Sequence, residues 1–203
     1  MKIIFIRHGQ TAWNAESRYQ GHSDSDLSDA GREQAERAAD RLKNEPIAAV
    51  YSSDLRRAFD TGKEIASLHG LSVVTDPRLR EVAFGEWEGL TVDEIREKYE
   101  LLYEHYRKDS VTNRAPGGER LEAMQARVVE AVDEISVRHP KETVVIATHG
   151  GPIRAFFCHA FDADLVTFRN IGLDNGSITI FELLDSGRWF LEVLNDTLHL
   201  GAV

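Results

Sequence analysis

The chain is predicted to fold as α/β: a three-layer α/β/α arrangement around a mostly parallel central sheet, with one antiparallel edge strand and a small lid insertion. Three observations predict it. Short continuous apolar runs recur at residues 1–6, 47–51, 71–75 and 143–148, with the length and β-branched content of strands buried on both faces. Amphipathic stretches lie between most of them, so strands and helices alternate, as a parallel sheet with right-handed crossovers requires. The chain then closes on two strand-like runs, 177–184 and 189–194, joined around Asp185-Ser186-Gly187, which read as an edge hairpin.

The helices follow from spacing and end signals. Ser28 opens the first long one; Ala35, Ala38, Ala39 and Leu42 mark its inner face, and Pro46 follows its end. Asp54 reads as the N-cap of the next, with Ala58, Ile65 and Leu68 facing inward and Gly70 as its stop. Thr91-x-x-Glu94 is a capping-box pattern, and Val92, Ile95, Tyr99, Leu102 and Tyr106 then trace one face. Residues 108–118 are polar, contain Pro116-Gly117-Gly118, and read as a loop. Leu121, Met124, Val128, Val132 and Ile135 give a further amphipathic helix, and Pro152 suits the first turn of the last. No linker divides the chain, so one domain is expected over 1–203, with residues of about 80–118 as the lid.

Bulk properties exclude several roles. The 203 residues are enough for a sizeable core. A net charge of −10 argues against nucleic acid or an anionic membrane as partner, although a local arginine cluster can still hold a small anion. No apolar run approaches the roughly 20 residues of a membrane-spanning helix. A single cysteine, Cys158, leaves no internal disulfide; with no apolar leader, this points to a cytoplasmic location. The Trp189-bearing hairpin offers an edge on which a homodimer could form.

The chemistry gathers at strand ends. In open parallel sheets ligands bind beyond the carboxyl ends of the strands. Two predicted strands end in His-Gly, at His8-Gly9 and His149-Gly150, which puts both imidazoles on one edge. A third strand feeds "DLRRA", so Arg56 or Arg57 enters the first turn of the next helix beside Arg7. Glycine after each histidine lets backbone approach a ligand, with N–H groups free to donate. A lone histidine after a strand is usually a hydrogen-bonded core residue; two in the same context are not chance. Arg7 has an ion pair as its plain alternative, and Arg56 suits a solvated helix face better than Arg57.

Guanidinium groups bind phosphate oxygens in pairs and keep their charge. A neutral imidazole is a good nucleophile toward phosphorus, and nearby arginines keep it neutral. A second imidazole, if protonated, stabilises charge on the oxygens in transit. The leaving alkoxide needs an acid, for which Glu81 in "RLREVAFGEWEG" is the candidate. Phe84 and Trp87 would form an aromatic wall beside it, although such residues, like Trp13, are more often core.

These residues resemble the histidine phosphatase superfamily, the phosphoglycerate mutase-like proteins. "RHGQTAWN" is similar to its signature, and "QGHSDSDLSDAGREQA", "SSDLRRAFDT", "REVAFGEWEG", "PGGERL", "THGGPIR" and "DNGSIT" resemble further family segments in order, over residues 2 to about 180. Asp26 and Gly62 depart from the pattern without touching the catalytic set. The resemblance implies that His8 becomes phosphorylated, that Arg7 and Arg57 clamp the phosphoryl oxygens beside His149, and that Glu81 moves the proton. It implies Asn14, Gln20, Gly21 and the Gly150 N–H as further substrate contacts, with no metal and no cofactor.

The "REVAFGEWEG" segment resembles the phosphatase branch, so a metal-independent phosphatase acting on a small phosphorylated substrate is expected. A cofactor-dependent phosphoglycerate mutase and a catalytically silent phospho-ligand binder are the alternatives. A metal site from His8, His22, His149 and His159 fails on spacing. Arg107 and Lys108 are candidates for a second anionic group of the substrate, with a solvated helix end as the plainer reading. Glu119, in the "GGER" loop, is a candidate for orienting water or substrate.

Overall fold

Ile3, Ile4, Phe5 and Ile6 are all buried, and successive side chains on a strand point to opposite faces. That needs cover on both sides of the sheet. Ile3 and Phe5 pack with the helix Leu121–Arg138 (α5) and the helix Gly150–Ala160 (α6). Ile4 and Ile6 pack with the helix Asp29–Leu42 (α2) and the helix Arg56–Leu68 (α3). The three layers are therefore α2 and α3, the sheet, and α5 and α6. These features come from a computed structural model, which describes residues 1–201.

The six strands are β1 Lys2–Arg7, β2 Ile47–Ser52, β3 Val73–Thr75, β4 Thr143–Thr148, β5 Ile178–Leu183 and β6 Trp189–Asp196. They line up in the order β3-β2-β4-β1-β5-β6. β1, β2, β3 and β4 are mutually parallel; β5 runs against both of its neighbours. The closing hairpin thus forms the antiparallel edge, and β6 returns to the common direction. A short helix, Ala12–Ala15 (α1), follows β1 and is capped by Thr11.

Residues 80–118 follow β3 and carry their own apolar cluster around Trp87. The helix Val92–Lys108 (α4) starts at the expected Thr91–Glu94 capping box. Its inner face differs from the predicted stripe. Tyr99 leaves helical geometry and kinks α4, so Tyr103 and Tyr106 pack on Trp87 while Leu102 is left 47% exposed.

Three other expectations are corrected. Asp54 is not a cap: Leu55 holds that position with no side-chain bond, and the Asp54 carboxylate is taken by Arg80 at 2.7 Å. Leu68, the last residue of α3, is exposed rather than inward-facing. β3 starts only at Val73, because the Leu71 N–H closes the end of α3 on the Ala66 carbonyl. No helix among the described residues is long and apolar enough to cross a membrane.

Candidate active site

The parallel pairing of β1 and β4 sets the centre. Arg7 stands in register with Thr148, and the His8 N–H continues the ladder onto the Thr148 carbonyl. His8 and His149 are therefore the first residues past two adjacent strand ends. Their rings sit 5.1 Å apart at 63°. His8 is 3% exposed and His149 fully buried. β2 ends beside them, and the Ser53 hydroxyl lies 2.9 Å from His149 Nε2.

A hydrogen bond fixes the His8 tautomer. Nδ1 lies 2.7 Å from the Gly9 carbonyl, which can only accept, so Nδ1 carries the proton and Nε2 keeps a free lone pair. Burial lowers the His8 pKa well below its ordinary value; the charges of Arg57 and Arg7 lower it further, and the bond to Gly9 opposes them. His149 shifts the same way, by burial first and then by Arg57, His8, Arg7 and Arg127. Both imidazoles are thus neutral at pH 7 in the free site.

Of the two arginines that spacing alone left open, Arg57, the one the resemblance implies, is the one placed in the site. It is fully buried in the first turn of α3, where its terminal nitrogens donate to the carbonyls of Ser23 and Gly21 at 2.9 and 2.8 Å. Arg56 is exposed and pairs with Asp26. Arg7 donates to the Leu173 carbonyl. Neither Arg7 nor Arg57 is in an ion pair among the described residues. Burial lowers both pKa values, and Glu81 partly offsets it. Arg7 Nε, Arg57 Nε and His149 Nδ1 are buried without partners. Orphaned donors on two guanidiniums are costly unless an anion supplies acceptors.

Glu81 enters from the other side of the sheet edge. Its carboxylate accepts the Val82 N–H at 2.9 Å and the Gly151 N–H, in the first turn of α6, at 3.2 Å. A Cβ on Gly151 would lie 2.0 Å from Glu81 Oε1, so glycine is what admits the carboxylate there. The backbone around Glu81 is clamped by Arg127, which donates to the carbonyls of Arg78, Arg80 and Glu81 at 2.7, 2.7 and 2.9 Å. Glu119 holds Arg127 through two bonds of 2.8 and 2.7 Å. Glu119 is therefore an anchor for this segment and is not among the residues lining the cavities beside Glu81. The aromatic wall is Phe84 with Tyr19, in edge contact at 4.7 Å; Trp87 is fully buried in its own aromatic cluster with Tyr103 and Tyr106.

A cavity of ≈ 280 Å³ is lined by Arg7, His8, Asn14, Tyr19, Gln20, Gly21, Arg57, Glu81 and Phe84, with Ser17 and Arg18 at its edge. Asn14 Oδ1 is engaged by Thr11 and Asn175, and Gln20 Oε1 by Ser25, which orients each amide nitrogen away from those bonds. Gly21 adopts φ +56° and is hemmed in by Glu88. Gly150 opens α6, and a Cβ there would lie 3.7 Å from Arg7 Nε. Gly9 has a different task from the one expected. Its N–H is taken by Thr61 at 3.1 Å, and a Cβ would lie 2.2 Å from the Gly31 carbonyl, so it seats α2 against the His8 loop.

Several residues were missed from the sequence. Glu88 accepts from the His22, Ser23 and Phe84 N–H groups and the Ser23 hydroxyl, and so builds the turn that carries Gly21. Burial works against its carboxylate, but these bonds outweigh it and lower its pKa. Asn175 donates to the His8 carbonyl at 3.0 Å. Arg154 follows Gly150 by one helical turn in "THGGPIR", a spacing that would have placed it on the same face. Of the remaining histidines, His22 Nε2 donates to the Glu81 carbonyl at 2.9 Å, while His159 lines a separate groove of ≈ 780 Å³ under the hairpin.

The family model for the histidine phosphatase superfamily (branch 1) matches residues 3–197. The chain belongs to the histidine phosphatase superfamily. Phosphoglycerate mutase-like protein 4 of Arabidopsis thaliana is 39% identical over 98% of this chain and 86% of its own length. Phosphoserine phosphatase 1 of Hydrogenobacter thermophilus is 36% identical over 99% and 95%. A mycobacterial glucosyl-3-phosphoglycerate phosphatase, solved as a complex with VO3, superimposes with a TM-score of 0.89 at 34% identity, covering 97% and 99%. This histidine phosphatase is accordingly a phosphomonoester hydrolase.

Proposed function

We propose that the enzyme hydrolyses a small phosphomonoester without a metal, through a phosphohistidine on His8. The observation that carries this reading is the His8 tautomer: Nδ1–H is spent on the Gly9 carbonyl, and the lone pair of Nε2 is left among Arg7, Arg57 and His149. The phosphoryl group sits between the two guanidiniums, whose orphaned Nε–H groups, with the amides of Asn14 and Gln20 and the N–H of Gly150, complete its oxygens. In the first step the P–Nε2 bond forms as the ester P–O bond breaks, and Glu81 gives its proton to the departing oxygen. In the second, Glu81 takes a proton from water, whose oxygen attacks phosphorus. The P–N bond breaks and inorganic phosphate leaves. His149 is neutral in the free site; a dianionic phosphoryl group beside it favours its protonated form, which then donates to an oxygen in transit.

The same phosphoenzyme could hand its phosphoryl group to a second hydroxyl, as the name of the Arabidopsis relative suggests. One experiment separates these. Wild type and His8→Ala are quenched in alkali after mixing with a labelled phosphomonoester, with and without chelator. Label on wild-type protein that survives alkali and is lost in acid, with phosphate released at the same rate in chelator, is expected. No label on wild type, or label retained by His8→Ala, overturns the intermediate. Label recovered mainly on a second alcohol favours the mutase.

A further inference from the structure

Glu81 has cavities on two sides. Beyond it, away from His8, lies a second one of ≈ 270 Å³ that shares Tyr19, Glu81 and Phe84 with the first. Its remaining walls include Arg154, Arg169, Tyr106 and Phe168. Arg154 is half-buried; its Nε donates to the Ile171 carbonyl at 2.7 Å, and its guanidinium lies 5.7 Å over the Phe168 ring. Arg169 lies 4.9 Å over Tyr106 and donates to the Tyr106 carbonyl at 3.1 Å. Among the described residues neither guanidinium is in an ion pair. Arg154 and Arg169 line this cavity with a single carboxyl, Glu81, which leaves a local excess of positive charge in a chain whose net charge is −10. Arg154 is half-buried and Arg169 stands exposed at the cavity mouth, so an anion entering the cavity meets two unpaired cations, and the half-buried one gains most from completing its charge.

The placement has a chemical consequence. Glu81 must stand at the ester oxygen, because that is where the proton is needed. The phosphoryl group then extends toward Arg7 and Arg57, and the alcohol portion toward Arg154 and Arg169. We propose that Arg154 and Arg169 form a subsite for a second anionic group on the alcohol portion, such as a carboxylate, and that this selects the substrate. The proposal rests on the phosphatase reading above and adds the substrate class: short phosphomonoesters with a second negative charge. The aromatic rings under each guanidinium hold its donor fork in place, which favours a planar carboxylate. Arg107 and Lys108, the sequence candidates for this task, are exposed at the end of α4 and do not line the cavity.

The test compares kcat/KM for 3-phosphoglycerate and glycerol 3-phosphate, which differ by carboxylate against hydroxymethyl. Wild type is expected to favour the carboxylate by about tenfold or more. Arg169→Gln and Arg154→Gln should each reduce that ratio several-fold, the half-buried Arg154 having the larger effect. A wild-type ratio near one, or a ratio that neither substitution changes, overturns the subsite. Arg154→Gln also releases the Ile171 carbonyl; if its melting curve shows misfolding, the exposed Arg169→Gln decides. Binding of the same two esters to His8→Ala by calorimetry reads the subsite without turnover. Tighter binding of 3-phosphoglycerate that is lost on adding Arg169→Gln supports it, and equal affinities overturn it. Wild-type turnover of p-nitrophenyl phosphate reports separately on the phosphatase chemistry, so a silent enzyme counts against that chemistry while calorimetry still judges the subsite.

Discussion

The two sides of the active site are built differently. The side proposed to take the phosphoryl group comes from strand ends and one helix start: His8 after β1, His149 after β4, Arg57 in the first turn of α3. Each is buried, and each is positioned by the sheet register or by backbone carbonyls. The leaving-group side comes from loops. Glu81 is held by a chain of side-chain contacts through Arg127 and Glu119, and its carboxylate rests on one N–H of α6 and one of its own segment. The first side is set by the fold itself; the second depends on a few specific side chains. Mutations should therefore act on the two sides in different ways.

The largest effect to separate them is at Glu81. Glu81→Gln should lower kcat/KM for an alkyl phosphate by roughly 10²–10⁴-fold, and much less for p-nitrophenyl phosphate, whose phenolate leaves without help. Equal losses on both esters would remove Glu81 from proton transfer. A smaller loss should follow Gly151→Ala. The new methyl would lie 2.0 Å from Glu81 Oε1 and must displace the carboxylate. About tenfold less activity on the alkyl ester is expected, with the same leaving-group bias, although alanine suits a helix better than glycine. Unchanged kinetics would show that the carboxylate does not need its seat on α6.

The smallest effect belongs to the phosphoryl side and is read as stability against pH. His8 and His149 have folded pKa values depressed below the ordinary 6.5. The unfolded chain therefore binds more protons below that point. The stability these residues contribute is complete above pH 6.5 and is lost as the pH falls from there toward their folded values. The melting temperature should drop between pH 7 and pH 5.5, by roughly 2–4 °C per kcal/mol lost, and drop less in His149→Gln. A His149→Gln curve parallel to wild type would sink the assignment.

This division also explains what the sequence made legible. A buried strand has a visible end, so His8, His149 and Arg7 could be placed on one edge from hydrophobic pattern alone. Arg57 was told from Arg56 by its place in the family-like segment "SSDLRRAFDT", and the fold adds its depth, which spacing alone does not give because both stand in the same helical turn. Glu81 carried little pattern of its own and became readable through its resemblance to family members. The groups that support it were not readable: Arg127 reaches Glu81 across 46 residues, and His22 across 59. Such contacts are made by chain segments that meet only after folding. Helix α4 was read correctly at its capping box, which is local, and at Val92, Ile95, Tyr99 and Tyr106 on its inner face; Leu102 was placed there and Tyr103 missed because nothing in the spacing announces the kink at Tyr99.

The reversed strand β5 has one more consequence. A sheet of parallel strands offers its active edge only loops that leave a strand; β5 adds one that enters a strand there. Residues 171–176 arrive by that route and run along the edge like a rail. The Ile171 carbonyl holds Arg154, the Leu173 carbonyl holds Arg7, and Asn175 and the Gly176 N–H bond the His8 carbonyl. Six residues thus set the spacing between the cation that meets the phosphoryl group and the cation proposed to meet the far end of the substrate. On the proposed reading, the length of ester that fits would be gauged by this one stretch of backbone.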